Sequence, residues 1–160
     1  MKSKIYIEIK SDVHRFKNQR TSIFKIIVLF FINASIRASI LIRISQHSGK
    51  LTFWFWRNLL LTLNSIDVCR GFQIGKGLNL PHPLGIVIGC NCSIGKNCTI
   101  YQNVTIGSKQ NKYPVLKDNV TIYPNSILVG DIKVGSNAVI GALSFVNKNV
   151  AENEVFFGKI

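Results

Sequence analysis

The chain has 160 residues, 47% of them apolar and only 17% charged. It is long enough to bury a core and too apolar for wholesale disorder. Twenty basic against seven acidic residues give a net charge of +13, which favours anionic partners. The excess is uneven: residues 1–66 carry 11 Lys/Arg against Glu8 and Asp12, and residues 67–160 carry nine against five.

In chain order, Lys4–Lys10 (KIYIEIK) alternates apolar and polar residues and predicts a short strand. The following SDVHRFKNQR reads as a solvated basic loop, with no chemistry assigned to His14. The most apolar run, Ile26–Ile36, is about half the length of a bilayer-spanning helix. It is also a poor match to a secretory signal, since a long polar stretch precedes it. Residues 23–63 therefore read as helices interrupted near Gly49. Arg43, Lys50 and Arg57 recur every seven residues, and Phe53, Trp54, Phe55 and Trp56 form an aromatic cluster. Two fates stay open for this segment: packing within the protein or its oligomer, and peripheral contact with an anionic membrane.

From Val68 the pattern changes to a period of six. Val68, Ile74 and Leu80 are in phase, then Ile88, Ile94, Ile100 and Ile106, then Leu116, Ile122, Leu128, Val134, Ile140 and Val146. Glycine often follows the aliphatic residue, a small residue often sits four places on, and Asn recurs between them. This period fits short segments joined by regular corners, one aliphatic side chain inward per segment and Gly or Asn where the corner needs φ > 0. Stacked coils then bury a continuous aliphatic ladder. Cys92 and Cys98 fall on the small inward position and read as core thiols. Cys69 and Cys90 carry no functional assignment, and neither a disulfide nor a metal site is expected.

The repeat breaks twice. Two residues are inserted between Leu80 and Ile88, and four between Ile106 and Leu116, in the loop 107–115. Insertions on a rigid solenoid are natural seats of function. His82 lies in the first, held between Pro81 and Pro83. Asp67 lies fifteen residues earlier, a spacing that a coil of about eighteen residues can bring near His82 on adjacent turns. An Asp–His pair is a suitable general base: the carboxylate fixes the tautomer and the other ring nitrogen takes a proton.

The six-residue pattern resembles the hexapeptide-repeat acyltransferases. The resemblance implies a mainly β fold: a left-handed parallel β-helix with three hexapeptides per coil, usually trimeric, here preceded by an N-terminal α-helical segment. The implied organisation is a basic N-terminal segment over 1–66, the β-helix over 67–151 with its loop insertion 107–115, and a tail over 152–160. The stretch DVCRGFQIGKGLNLPHPLGIVIG, Asp67–Gly89, is similar to the serine acetyltransferase-like branch, which includes bacterial sugar O-acetyltransferases. By that likeness His82 and Asp67 are the catalytic dyad and acetyl-CoA is the donor, lying along the β-helix between subunits. The matching donor positions are Gly107, Tyr123, Pro124, Asn125, Ser126, Gly141 and Ala142, with Lys148 and Lys159 near the CoA phosphates. Lys112 and Tyr113 match the acceptor loop.

This chain departs from serine acetyltransferases in three places. Pro81 replaces an acidic residue before the histidine, Lys112–Tyr113 replaces an Arg-His pair, and the N-terminal segment is basic and aromatic. The expected function is acetyl-CoA-dependent O-acetylation of a sugar hydroxyl in surface-polysaccharide synthesis, near the inner face of the cytoplasmic membrane. A serine O-acetyltransferase and a non-catalytic β-helix scaffold are the alternatives. Zinc chemistry on this fold needs three histidines and the repeats hold one. No motif supports nucleic-acid binding.

Overall fold

Lys2–Lys17 form a helix, α1, where the alternation of Lys4–Lys10 predicts a strand. The reason is visible in what faces inward. Ile5, Glu8, Ile9, Asp12, Val13 and Phe16 are all wholly or partly buried, a stripe at helical spacing that includes two carboxylates. Those carboxylates have partners: His47 Nε2 lies 2.7 Å from Glu8, and Arg43 Nε donates to Asp12 at 2.7 Å. The basic stretch read as a solvated loop is therefore largely the second half of α1. The computed structural model describes residues 2–18 and 22–158.

Three further helices follow: α2 (Ile23–Ile32), α3 (Ala34–His47) and α4 (Lys50–Asn64). Asn33 leaves helical geometry, accepts from Ile36 N–H through its side chain, and starts α3 at 110° to α2. Gly49 caps α4, so the break foreseen near it is present. The aromatic cluster of α4 divides. Phe53 is buried, Trp56 packs against the core, and Trp54 and Phe55 stay exposed.

Among the described residues, the remainder is a parallel β-helix of thirteen short strands in three sheets. The first sheet stacks β1 (Asp67–Val68), β3 (Val87–Ile88), β6 (Thr105–Gly107), β9 (Ile127–Val129) and β12 (Phe145–Val146). The second stacks β2 (Gln73–Ile74), β4 (Ser93–Ile94), β7 (Val115–Leu116) and β10 (Lys133–Val134). The third stacks β5 (Thr99–Ile100), β8 (Thr121–Ile122), β11 (Val139–Ile140) and β13 (Val155–Phe156). In the first sheet Asp67 pairs with Val87, Val87 with Thr105, Thr105 with Ile127 and Ile127 with Phe145, giving coils of 20, 18, 22 and 18 residues. The two long coils carry the two- and four-residue insertions. β13 lies within the stretch read as a tail, 152–160, and pairs with β11.

All thirteen in-phase aliphatic residues, Val68 to Val146, are at most 3% exposed. Gly and Asn both serve positive φ at the corners, as expected, with Gly71, Gly77 and Gly85 doing so in the first coil. Asn91, Asn97, Asn103, Asn119, Asn125, Asn137 and Asn153 hold the left-handed corner conformation. Gly95, which follows an aliphatic residue, has an ordinary φ. It is required because a Cβ there would lie 2.5 Å from the Lys117 carbonyl of the next coil. The corner asparagines also bond upward: Asn103 Nδ2 donates to Asn125, and Asn119 to Asn137, each at 3.0 Å.

A buried polar network ties α1 and α3 to the first coil. Arg43, wholly buried, donates to both Asp12 oxygens and to the carbonyls of Ile74 and Gly75. Asp12 Oδ1 accepts the backbone N–H groups of Gly77 and Leu78, each at 2.8 Å. Arg15 adds a 2.6 Å bond to the Gly77 carbonyl and a 2.9 Å bond to Thr99 Oγ1.

Candidate active site

The first insertion forms the corner between Asn79, which bridges to Thr99, and β3. It is pinned on both sides. Ser35 of α3 donates to the Pro81 carbonyl at 3.4 Å, Pro83 is buried, and Gly85 N–H bonds the Ser65 carbonyl at 3.0 Å. His82 is exposed at this corner, its ring 6.2 Å from that of Tyr101 and tilted by 47°. Tyr101 in turn stacks on Tyr123 at 5.1 Å, nearly parallel. An aromatic column thus rises from His82 along one edge of the solenoid. Its middle member, Tyr101, was not singled out from the sequence. The signal is present only once the four-residue insertion is counted, because Thr99 pairs with Thr121 and so aligns Tyr101 with Tyr123.

Asp67 opens β1 and pairs in register with Val87 of β3. His82 lies five residues ahead of Val87, in the corner that closes the coil Asp67 opens. The structure joins the Asp67 carboxylate to Arg57 of α4, at 2.7 and 2.8 Å, rather than to His82. The Arg57 guanidinium also lies 5.6 Å from the centre of the Trp54 ring. Arg57 was read from the sequence only as one of a spaced basic series, since nothing local connects a helix residue to a strand ten positions on. These groups line a cleft of about 360 Å³ together with Phe53, Val87, Cys69 and Cys90.

Cys69 and Cys90 are joined in a disulfide, with Cα atoms 4.5 Å apart. This corrects the expectation that no disulfide forms. Parallel pairing of β1 and β3 places the residue after Val68 beside the residues after Ile88, and so brings two cysteines 21 apart into contact. Cys92 and Cys98 are free and buried in the core, and burial pushes each thiol up to about 11. Such thiols stay protonated and unreactive at neutral pH. Among the described residues no three His, Cys, Asp or Glu side chains converge as metal ligands.

The donor-site positions run up the column edge and beyond it. Tyr123 is exposed, and Asn125 holds the left-handed corner with Pro124 beside it. Ser126 is buried, its Oγ 2.9 Å from the carbonyls of Tyr123 and Gly141. Gly141 is buried and Ala142 exposed at the equivalent corner one coil on, and Phe157 packs where a Cβ at Gly141 would stand. Gly107 ends β6 opposite Val129. Lys148 is exposed, with its ammonium 5.5 Å from the Phe156 ring centre. Lys159 lies outside the described residues.

The second insertion is a tight hairpin. Lys109 and Lys112 exchange backbone hydrogen bonds at 3.1 Å, and Gln110 and Asn111 both have positive φ. Lys112 Nζ meets Asp131 at 2.9 Å, which holds the amine above and the carboxyl below their ordinary ranges. Tyr113 packs partly buried against the core. This hairpin leaves the first sheet at the opposite end of its strands from the His82 corner.

The solenoid is a parallel β-helix built on a six-residue period. Residues 113–148 match the bacterial transferase hexapeptide family, in its six-repeat form. A serine acetyltransferase of Staphylococcus epidermidis is 45% identical over 89 residues, 53% of this chain and 42% of the relative. The crystal structure of serine acetyltransferase isoform 3 from Entamoeba histolytica, in complex with cysteine, superposes with a TM-score of 0.81 over 98% of this chain and 59% of that one, at 21% identity. A serine acetyltransferase complex with CoA superposes with a TM-score of 0.73 over 94% of this chain and 65% of that one, at 22% identity. The helical segment and the β-helix together therefore follow the serine acetyltransferase fold. The chain spans well under two thirds of the length of each curated relative it matches, from 36% to 46%.

Proposed function

We propose that this protein is a serine acetyltransferase-like O-acetyltransferase that uses acetyl-CoA. The observation that carries the reading is the pinned corner at His82. A solvent-facing imidazole is held between two prolines, on the coil that Asp67 opens, in a chain whose β-helix resembles serine acetyltransferases. In this reading His82 removes the acceptor's hydroxyl proton. The alkoxide oxygen attacks the thioester carbon of acetyl-CoA, the C–S bond breaks, and CoA leaves as its thiol. Asp67 orients the imidazole and stabilises its protonated form once its carboxylate turns from Arg57. Tyr123 to Ser126, Gly107, Gly141 and Ala142 provide small or backbone-rich surface for CoA, with Lys148 and Lys159 available to its phosphates.

L-serine is the first acceptor to consider, because the relatives are serine acetyltransferases. A sugar hydroxyl is the second reading, with a surface-polysaccharide precursor as its substrate class. It is favoured by the acceptor hairpin, where Lys112 is tied to Asp131 and Tyr113 is partly buried, and by Pro81 before the histidine. A homotrimer fits both readings. The His82 corner and the 107–115 hairpin leave opposite ends of the same sheet strands, so a neighbouring copy is the natural way to set one against the other.

The test is thiol release from acetyl-CoA by the purified chain, with serine and then with a panel of oligosaccharides. His82→Ala should lower the rate by about 10²–10⁴-fold. Full activity in that variant overturns the mechanism. Absence of CoA binding overturns the enzymatic reading in favour of a scaffold.

A further inference from the structure

The geometry points to the face formed by α1 and α2 as a docking surface for an anionic lipid bilayer. The inference stands on the helical segment alone and does not rest on the acetyl-transfer reading. In α2 the fold uses a single inward stripe, Ile26, Leu29 and Phe30. The outward side is apolar too. Ile23, Phe24, Ile27, Val28, Phe31 and Ile32 are 42–74% exposed, and Lys25 is the lone charge in the helix. A surface helix of a globular protein turns polar residues outward, whereas a helix apolar all round requires cover on both sides. An apolar cleft of about 330 Å³ opens beside it, between Tyr6 and Ile9 of α1, Ile27 and Phe31 of α2, and Ile40 of α3.

Charge decides what covers this face. The two acidic residues of α1, Glu8 and Asp12, are buried against His47 and Arg43. Among the described side chains, the Lys and Arg left exposed on α1 and α2 are Lys4, Lys10, Lys17 and Lys25. Lys10 Nζ sits 5.1 Å from the ring centre of Tyr6, at the cleft wall. An apolar face rimmed by lysines matches an acyl layer beneath anionic headgroups. A second copy of the same face would set lysines against lysines.

The mode is peripheral. Ten residues of helix extend about 15 Å, half the hydrocarbon thickness of a bilayer. The neighbouring α3 cannot complete a span, because it turns away at 110° and its Arg43 is locked to Asp12 inside the protein.

The experiment is co-sedimentation of the full chain with phosphatidylcholine vesicles, with and without phosphatidylglycerol. The wild type should sediment with the anionic vesicles at least about tenfold more strongly than with neutral ones, and salt should weaken the binding. The double substitution Phe24→Glu/Phe31→Glu alters two exposed side chains. It should abolish sedimentation while leaving the circular dichroism and melting temperature unchanged. Failure of the wild type to sediment with either vesicle overturns the proposal, as does undiminished binding by the double variant. A lipid-free increase in oligomer mass that the double variant removes also overturns it, and assigns the face to a second copy.

Discussion

Leu143 is where the solenoid departs from its own corner chemistry. It sits at φ 58° among corners otherwise held by Asn and Gly, exposed, with its N–H bonded to the Pro124 carbonyl. A left-handed conformation costs a branched side chain roughly 1–2 kcal/mol. Leu143→Asn should relieve about 1 kcal/mol of this and extend the side-chain series of Asn103 and Asn125 by one coil. The expected outcome is a higher urea midpoint with an unchanged slope; a lower midpoint would contradict the strain argument. Cys92 and Cys98 set a pH dependence. Folded, they keep their protons up to about 11, against an ordinary value of 9.0. The unfolded chain therefore loses protons first. Their stabilisation is complete below pH 9 and declines as pH rises toward 11. Denaturant midpoints measured across that interval should fall, and the fall should be smaller in a Cys92→Ala/Cys98→Ala variant.

At the scale of elements, α1 is held to the first coil by groups that its sequence pattern disguises. The solenoid was legible in advance because Val68 to Val146 repeat one buried residue per segment and nothing competes with that period. The helix was not, because two positions of its inward stripe are Glu8 and Asp12, and charged residues count as outward until their buried partners are known. Those partners, Arg43 and His47, lie on another helix. Asp12→Ala should be among the most damaging substitutions in the chain. It strands Arg43 without its carboxylate and leaves the Gly77 and Leu78 N–H groups unpaired, at a cost of about 3–5 kcal/mol. Thermal unfolding checks this; a loss below about 1 kcal/mol would show that the network is replaceable. The same limit applies at the candidate site. His82 was readable from a break in the period. Arg57, across the helix–solenoid boundary from Asp67, was not.

At the scale of the whole molecule, the basic residues of the helical segment play contrasting parts. Arg15, Arg43 and Arg57 are committed to internal contacts with the first coil or β1. The exposed lysines of α1 and α2 make no such internal contact, and Lys10 stands over Tyr6 at the wall of the apolar cleft. Net charge alone suggested anionic partners without saying where. Burial of the only two acidic residues in the first 66 leaves the exposed charge of α1 and α2 basic.

The uneven coils also bear on how such a chain can change length. Adjoining coils share one register, and the insertions that make some of them longer are absorbed at corners without disturbing the aliphatic ladder. A duplicated stretch of eighteen residues spliced between β9 and β12 would meet matching strands above and below. The same duplication ahead of β2 would carry Ile74, Gly75, Gly77 and Leu78 away from Arg43 and Asp12. Growth by tandem duplication is thus open in the body of the solenoid and closed at the coil that the helices clasp.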